Sequence, residues 1–206
     1  MLKIWGRDES GNVKKVLWCV GELELEFERY DVGGKFGGLD TPEYRAMNPN
    51  GLIPTIQEDD FILWEANCIV RYLCSKYSMG NLCPSDLRER ASAERWMDWQ
   101  VAHLIPEFFK LFIGLVRTPE AERDPKVIEH AARETERHFR MVDDFLKGRK
   151  YIGGDRFTMG DIPIGCTVYR WLAMPIERPH LPNLQAWYER LTERPVYRHR
   201  IMQPLK

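Results

Sequence analysis

A proline and a glutamate lie close together in NPNGLIPTIQEDDFILWEANCIVRYL, residues 48–73, and each is unusual for its surroundings. Pro54 falls in an apolar run that otherwise has the pattern of a strand, although proline has no N–H to donate to a strand ladder. If the Ile53–Pro54 bond is cis, the backbone of Ile53 turns outward at a sheet edge and is available to an extended peptide ligand. A proline at an edge or at the start of a strand is the alternative, and composition alone does not choose between them.

Ser10 and Glu65 each fall at the predicted N-terminus of a helix. The first N–H groups of a helix have no intrahelical acceptor, and the dipole is positive there, so an anion is favoured beside Ser10. A structural explanation exists for both residues. Serine is a common helix cap, and an acidic residue in a first turn stabilises a helix by about 0.3–1 kcal/mol without any ligand. The residue types alone favour the capping explanation for Ser10.

The elements that hold these residues alternate between strands and helices in the first third of the chain. The apolar pattern predicts a helix over 12–23 with Val13, Val16, Leu17 and Val20 on one face. Thr41-Pro42-Glu43 predicts the start of a short helix. A further helix is predicted from Glu65 to about Tyr77, burying Ile69 and Leu73. Predicted strands lie at 2–6, 26–31, 54–58 and 61–64. This order predicts a small α/β sheet of mixed direction.

The rest of the chain is predicted to be helical. Residues 79–86 (MGNLCPSD) have no periodicity and are rich in turn formers, which indicates a linker. Thr158 and Asp161 are spaced as a capping box, with Thr158 as the N-cap. The predicted helices are 87–116, 125–147, Thr158 to about Ala173, 182–193 and 195–202. The sequence therefore predicts a first domain over 1–78, a linker over 79–86 and an all-α domain over 87–206.

Composition excludes several classes of function. The net charge of −1 argues against a nucleic-acid binder, which needs clustered lysine and arginine. No apolar run approaches the length of a membrane span and no signal peptide is visible, so we expect a cytoplasmic protein. The histidines and cysteines show no zinc spacing, so no bound metal is expected. None of the five cysteines forms a C-x-x-C pair, and Cys19, Cys68 and Cys166 are expected to be buried free thiols.

Three motifs, in this order along the chain, resemble those of the cytosolic glutathione S-transferases. Ser10-Gly11-Asn12 before a helix resembles the signature of serine-type, theta-like bacterial members. NPNGLIP followed by LWEANCIVRYL resembles the family pattern N-P-x-G-x-V-P…L-x-E-S-x-A-I-x-x-Y-L. FTMGDIPIG, residues 157–165, resembles the capping-box motif of the helical domain. The resemblance covers nearly the whole chain. It implies a thioredoxin-like N-terminal domain, with a mixed four-stranded sheet in the order β-α-β-α-β-β-α, and an all-α C-terminal domain.

The resemblance also implies which residues bind glutathione. Ser10 would donate a hydrogen bond to the thiolate, with the Asn12 amide as the alternative donor. Pro54 would be the cis-proline that presents Ile53 to the peptide, and Glu65 would pair with the γ-glutamyl ammonium group. Two residues depart from the family pattern. Ala66 lacks the usual serine hydroxyl, but its backbone N–H would still bind the γ-glutamyl carboxylate. Leu52 lies where many relatives have a lysine that binds the glycyl carboxylate, and Lys35 or Arg7 would supply that charge instead. Asp161 would have a structural role, as the cap of a buried helix.

Three functions follow from the resemblance. The first is transfer of glutathione to a small hydrophobic electrophile, with glutathione as co-substrate and no permanently bound cofactor. The second is glutathione-dependent disulfide reduction or peroxidase activity, and the third is a non-enzymatic binding protein. A homodimer is implied, with exposed apolar candidates near Phe61 and on the helix after the linker. The acceptor site would be lined by that helix, which includes Trp96, Trp99, His103, Phe108, Phe109 and Phe112. Aromatic residues at helical spacing are more often core, so none of these is assigned to the acceptor.

Overall fold

The structure, a computed structural model, describes residues 1–205. Lys206, the last residue of the predicted all-α domain, lies outside the described residues. The chain divides into two compact units, one from Met1 to Ser85 and the other from Asp86 onward. All four strands of the sheet belong to the first unit.

The first unit contains a four-stranded sheet in the order β2-β1-β3-β4. The strands are β1 (Leu2–Trp5), β2 (Phe27–Tyr30), β3 (Thr55–Glu58) and β4 (Phe61–Trp64). Strand β1 pairs with β2 in parallel and with β3 antiparallel, and β3 pairs with β4 antiparallel. The prediction of a mixed four-stranded sheet is confirmed.

One row of paired residues marks the edge of the sheet from which four loops leave. Trp5 is paired with both Tyr30 and Thr55, and Thr55 is also paired with Trp64. Strands β1, β2 and β4 end at this row and β3 begins there, because β3 alone runs in the opposite direction. The loops after β1, β2 and β4 and the loop before β3 therefore lie at the same edge.

Three α-helices complete the first unit: α1 (Gly11–Glu22), α2 (Pro42–Met47) and α3 (Ala66–Tyr77). The predicted apolar face of α1 is buried, but burial extends to every residue from Val13 to Val20. Helix α1 packs against α3, and at this contact the Sγ atoms of Cys19 and Cys74 lie 3.5 Å apart. Cys68 is exposed, so the expectation that it is buried is wrong, whereas Cys19 and Cys166 are buried as expected.

The second unit is helical. Its helices are α4 (Leu87–Trp99), α5 (Ile105–Phe112), α6 (Pro125–Leu146), α7 (Asp161–Ala173), α8 (Pro182–Thr192) and α9 (Pro195–Arg200). Helices α4 and α5 belong to one continuous helix, as predicted, but it contains two π-helical segments, Gln100–Leu104 and Ile113–Arg117. The first segment precedes Pro106, which has no N–H to continue the α-helical ladder and would clash with the carbonyl one turn earlier.

This continuous helix, Leu87–Arg117, is the one helix in residues 1–205 that is long and apolar enough to cross a membrane by length and composition. The expectation that no stretch approaches that size is therefore wrong. Length and composition alone do not assign a membrane span, because the core helices of soluble proteins meet the same criterion. Within its own unit, α5 packs extensively against α6.

The N-cap of α7 is Gly160, two residues later than the predicted N-cap Thr158, and the helix begins at Asp161. Residues Thr158 to Asp161 form a hydrogen-bonded turn, in which the Asp161 N–H donates to the Thr158 carbonyl at 3.0 Å. The reciprocal bond of a capping box is present, because the Thr158 N–H donates to Asp161 Oδ2 at 2.9 Å. The motif was therefore placed correctly, and only the helix boundary differs.

Candidate functional site

Every residue predicted to contact the ligand lies in a loop or first helical turn at the single sheet edge described above. Ser10 follows β1, and Lys35 follows β2. Ile53 and Pro54 directly precede β3, and Glu65 and Ala66 directly follow β4. The fold thus brings together residues that are up to 56 positions apart in the chain.

Ser10 is the N-cap of α1. Its Oγ accepts a hydrogen bond from the Val13 N–H at 3.5 Å, a long contact for such a bond. The side chain is half-buried, and within residues 1–205 no acceptor for its hydroxyl proton is found. Capping therefore uses only the acceptor capacity of this hydroxyl and leaves its donor available. Asn12 is exposed in the first turn of the same helix.

The loop before β3 ends in a cis bond between Ile53 and Pro54, as expected. The preceding carbonyl, that of Leu52, accepts two hydrogen bonds, from Tyr44 Oη at 2.7 Å and Asn48 Nδ2 at 2.8 Å. No hydrogen bond from the Ile53 N–H to another residue is found in residues 1–205. This backbone donor is therefore available to a ligand.

Glu65 has a backbone conformation that residues other than glycine rarely adopt. Its φ is 71° and its ψ 109°, immediately before α3, and its side chain is exposed and makes no cap hydrogen bond. Such a conformation typically costs about 1–3 kcal/mol and tends to occur at functional sites. Ala66, the first residue of α3, is buried, but the first N–H groups of a helix have no intrahelical acceptor. The turn therefore presents a carboxylate and backbone donors side by side.

Two cations lie near the opposite end of the same edge. Lys35 Nζ is 3.4 Å from Glu9 Oε1, in an exposed ion pair that contributes little stability. The Arg7 side chain covers Gly34, since a Cβ at Gly34 would lie 2.7 Å from Arg7 Nε. Leu52, where the family pattern led us to expect a lysine, is largely exposed. Both candidate replacements for that lysine are therefore beside the loop that carries Ser10.

Sequence reasoning missed the residues that hold these loops in place. Arg29 Nη1 donates to the Gly6 carbonyl at 3.1 Å and fixes the start of the loop that carries Ser10. Gly6 itself has a φ of 150°, and a Cβ there would lie 2.4 Å from Val13 Cγ2, so only glycine fits. Tyr44 and Asn48, which bind the Leu52 carbonyl, were also missed. Asn48 is part of the NPNG motif, and this motif is the one feature of the sequence that could have pointed to its role.

The aromatic residues considered for the acceptor site divide by burial. Trp96, Phe108 and Phe112 are core residues, as aromatic residues at helical spacing usually are. Phe109 and His103 are exposed, and Trp99 is half-buried. The location of the acceptor site stays a prediction.

No group of three or more histidine, cysteine or acidic side chains with metal-binding geometry is found within residues 1–205. The hydrogen bond to Cys74 and burial raise the pKa of Cys19 well above its usual range, so this thiol is a poor nucleophile.

The fold is that of a known family. Residues 10–76 match the family model for the glutathione S-transferase N-terminal domain, and residues 100–195 match the model for the C-terminal domain. The chain belongs to the glutathione S-transferase family.

Individual relatives match over most or all of their length. Glutathione S-transferase GstB of Escherichia coli (strain K12) is 42% identical, with all of both chains covered. The theta class glutathione S-transferase from Xanthomonas axonopodis pv. citri, solved with glutathione bound, is 49% identical, covers 100% of this chain and 99% of its own, and superposes with a TM-score of 0.96. The disulfide-bond oxidoreductase YfcG of E. coli (strain K12) is 28% identical over 90% of this chain and 87% of its own.

Proposed function

We propose that this protein is a glutathione transferase that activates the glutathione thiolate for attack on a small hydrophobic electrophile. The observation that supports the proposal most is the row Tyr30–Trp5–Thr55–Trp64, because the four loops at its edge supply the groups that a γ-glutamyl tripeptide requires. Glutathione is the co-substrate, and no permanently bound cofactor is part of the proposal. The cytoplasm is the proposed location.

The dimensions of the edge fit an extended tripeptide. Neighbouring strands lie about 4.8 Å apart, so the four strands span roughly 14 Å. A tripeptide with one longer γ-linkage is of similar length, at about 3.3–3.6 Å per residue. The order of groups also fits: carboxylate and helix N–H groups beyond β4, backbone at β3, hydroxyl after β1 and cations after β2.

The chemistry begins with the thiol. A free thiol has a pKa near 8.5 and is mostly protonated at pH 7. The Ser10 hydroxyl donates to the sulfur, and the N-terminus of α1 adds its positive dipole end. A hydrogen bond to a charged group contributes about 1.5–3 kcal/mol, which lowers the thiol pKa by roughly one to two units. Thiolate then makes up roughly a quarter to three quarters of the bound glutathione at pH 7, instead of about 3%. It attacks the electrophile directly, and the leaving group, such as the halide of an aryl halide, departs as the C–S bond forms.

The ends of the peptide are held by charge. Glu65 pairs with the γ-glutamyl ammonium group, and the Ala66 N–H at the N-terminus of α3 binds the adjacent carboxylate. Ile53 pairs with the cysteinyl backbone as a short added strand. Lys35 binds the glycyl carboxylate, for which its exposed pair with Glu9 is easily exchanged.

The test is titration calorimetry of glutathione into the wild-type protein, followed by assays with an aryl halide and with a small disulfide. We expect binding and conjugation of the aryl halide. Binding without turnover of either substrate would favour a non-enzymatic binding protein, and absence of binding would refute the proposal.

Disulfide reduction is the second candidate function. The similarity to a relative named as a disulfide-bond oxidoreductase favours it. The same thiolate would attack a disulfide sulfur instead of carbon and expel the other sulfur as a thiolate. A second glutathione would then attack the mixed disulfide, which releases the second thiol of the substrate and oxidised glutathione. Turnover of the disulfide with no turnover of the aryl halide would make this the primary activity.

Replacing Ala66 with serine is expected to tighten glutathione binding. The added hydroxyl would give the γ-glutamyl carboxylate one more donor, worth about 0.5–1.5 kcal/mol or roughly a two- to tenfold lower Kd. Calorimetry measures the change, with the exposed Ala91→Ser as a control for the substitution itself. An Ala66→Ser protein that is folded but binds no tighter would argue against a carboxylate at this position.

We also propose that the protein is a homodimer. Large apolar side chains are exposed on the edge strand β4, at Phe61 and Trp64, and at the start of α4, at Leu87. Exposed apolar groups of this kind favour association. Size-exclusion chromatography at several concentrations tests this, and a monomer at every concentration would refute it.

A further inference from the structure

The carbonyl of Leu52 is anchored by two side chains that come from α2 and its C-terminal end. Tyr44 Oη and Asn48 Nδ2 donate to it at 2.7 and 2.8 Å. The same two groups also contact Thr55 Oγ1, at 3.0 and 3.1 Å. Residues 53 and 54 therefore lie between two points, Leu52 and Thr55, that are held by one pair of side chains.

The directions of these hydrogen bonds are consistent with one another. Asn48 donates to Thr55 Oγ1, the Thr55 hydroxyl donates to Tyr44 Oη, and the Tyr44 hydroxyl donates to the Leu52 carbonyl. Such a chain of hydrogen bonds is mutually reinforcing. Burial raises the pKa of Tyr44, so its hydroxyl stays protonated and remains a donor at neutral pH.

The Leu52 carbonyl and the Ile53 N–H belong to one planar trans peptide unit, so they point in opposite directions. Fixing the oxygen toward Tyr44 and Asn48 fixes the N–H away from them. We infer that Tyr44 is a positioning residue for glutathione binding, which acts by aiming the Ile53 N–H at the cysteinyl backbone of the ligand. This inference rests on the proposed function.

Burial makes this anchoring hard to replace by water. Tyr44, Asn48 and Thr55 are each at most 3% exposed. Removal of the Tyr44 hydroxyl leaves the Leu52 carbonyl with a single donor and breaks the chain at its centre. Helix α2 stays in place, because its Thr41 cap, which accepts from the Tyr44 N–H at 3.2 Å, does not involve the phenol.

Tyr44→Phe is the test, and it removes only the hydroxyl. We expect KM and Kd for glutathione to rise about fivefold, the equivalent of one net hydrogen bond, with kcat changed less than twofold. Hydrogen exchange of residues 48–55 in the ligand-free protein should become faster. Asn48→Ala should act in the same direction on all three measurements.

Tyr72→Phe is the matched control. It also removes a phenol hydroxyl in the first unit, one that donates to Glu58 Oε2 at 2.6 Å, but it does not touch this loop. It is expected to lower the unfolding temperature without raising KM for glutathione.

The outcomes separate the inference from the proposed function. If the wild type binds glutathione and Tyr44→Phe lowers only the unfolding temperature, Tyr44 has a structural role and the inference is refuted. Unchanged hydrogen exchange over residues 48–55 would refute it as well. If the wild type binds no glutathione, the proposed function fails and the positioning role fails with it, whatever the exchange rates are.

Discussion

Replacing Ser10 with alanine is expected to lower kcat/KM for glutathione conjugation by roughly ten- to thirtyfold at pH 7. The loss follows from the thiolate population, since removal of a charge-assisted hydrogen bond of about 1.5–3 kcal/mol raises the thiol pKa by one to two units. The direct measurement is a pH titration of thiolate absorbance in the glutathione complex. With glutathione saturating, the pH dependence of kcat/KM for the electrophile should shift to higher pH by the same amount.

The structure allows this catalytic effect to be separated from the capping role of Ser10. Its Oγ accepts from the Val13 N–H at 3.5 Å, and loss of a helix cap costs typically about 1 kcal/mol. Ser10→Ala should therefore unfold at a slightly lower temperature. A purely capping role would give this loss of stability without a change in the thiol pKa of bound glutathione. Ser10→Thr keeps a hydroxyl and is expected to recover most of the activity.

Two further variants make the Ser10 result specific. Ser78→Ala removes another serine hydroxyl that accepts from a backbone N–H in the same unit, that of Leu82 at 3.3 Å, and should leave the thiol pKa unchanged. Asn12→Ala tests the alternative donor. If the thiol pKa is unchanged in Ser10→Ala but raised in Asn12→Ala, the hydrogen-bond donor to the thiolate is Asn12 and not Ser10.

Local patterns were sufficient to predict most of the fold. The strands, the helices and their order follow from apolar periodicity and from caps such as Thr41, where each signal spans only a few residues. Cys68 shows the limit of a cruder rule based on apolar neighbours. It lies beside Ile69 in the sequence, but successive helical residues point about 100° apart, so burial of Ile69 and Val70 does not extend to Cys68.

The supports of the candidate site were beyond the reach of the sequence. Ser10, Ile53, Glu65 and Ala66 were identified because they belong to recognisable motifs. Tyr44 was not, because its hydroxyl meets partners 8 and 11 residues away in a register that only the folded loop defines. No periodicity encodes such a contact. The same holds for Arg29, whose partner Gly6 is 23 residues away.

Replacing Asp161 with alanine is expected to lower the unfolding temperature by about 10 °C. The carboxylate is fully buried and accepts from the Ile152 N–H at 2.8 Å, the Thr158 N–H at 2.9 Å and Trp187 Nε1 at 2.9 Å. It joins the loop before α7 to α8, and its removal leaves these three buried N–H donors, together with the buried Thr158 hydroxyl, without this acceptor. Each costs about 1–3 kcal/mol, and about 1 kcal/mol shifts the midpoint of a chain this size by 2–4 °C.

The matched control for Asp161→Ala is Asp124→Ala. Asp124 also caps a helix, accepting from the Lys126 and Val127 N–H groups, but it is exposed, so water can replace it and the expected cost is about 1 kcal/mol. Glutathione affinity of the folded fraction should be unchanged in both variants. A large loss of affinity in Asp161→Ala at an unchanged unfolding temperature would refute the structural assignment.

The pH dependence of this effect provides an independent check on the burial of Asp161. Burial raises the pKa of Asp161 to about 6, against the opposing hydrogen bonds from Thr158, Ile152 and Trp187, whereas an unfolded aspartate titrates near 3.9. A raised pKa in the folded state means that the contribution of the group to stability is complete below about pH 4 and declines as the pH rises through 6. Asp161→Ala lacks this titration, so the free energy of unfolding should differ between wild type and variant by roughly 1 kcal/mol more at pH 5 than at pH 7.5. A difference that is constant across this range would mean that the carboxyl group titrates at the same pH in the folded and unfolded chains, and that hydrogen bonds fully offset its burial.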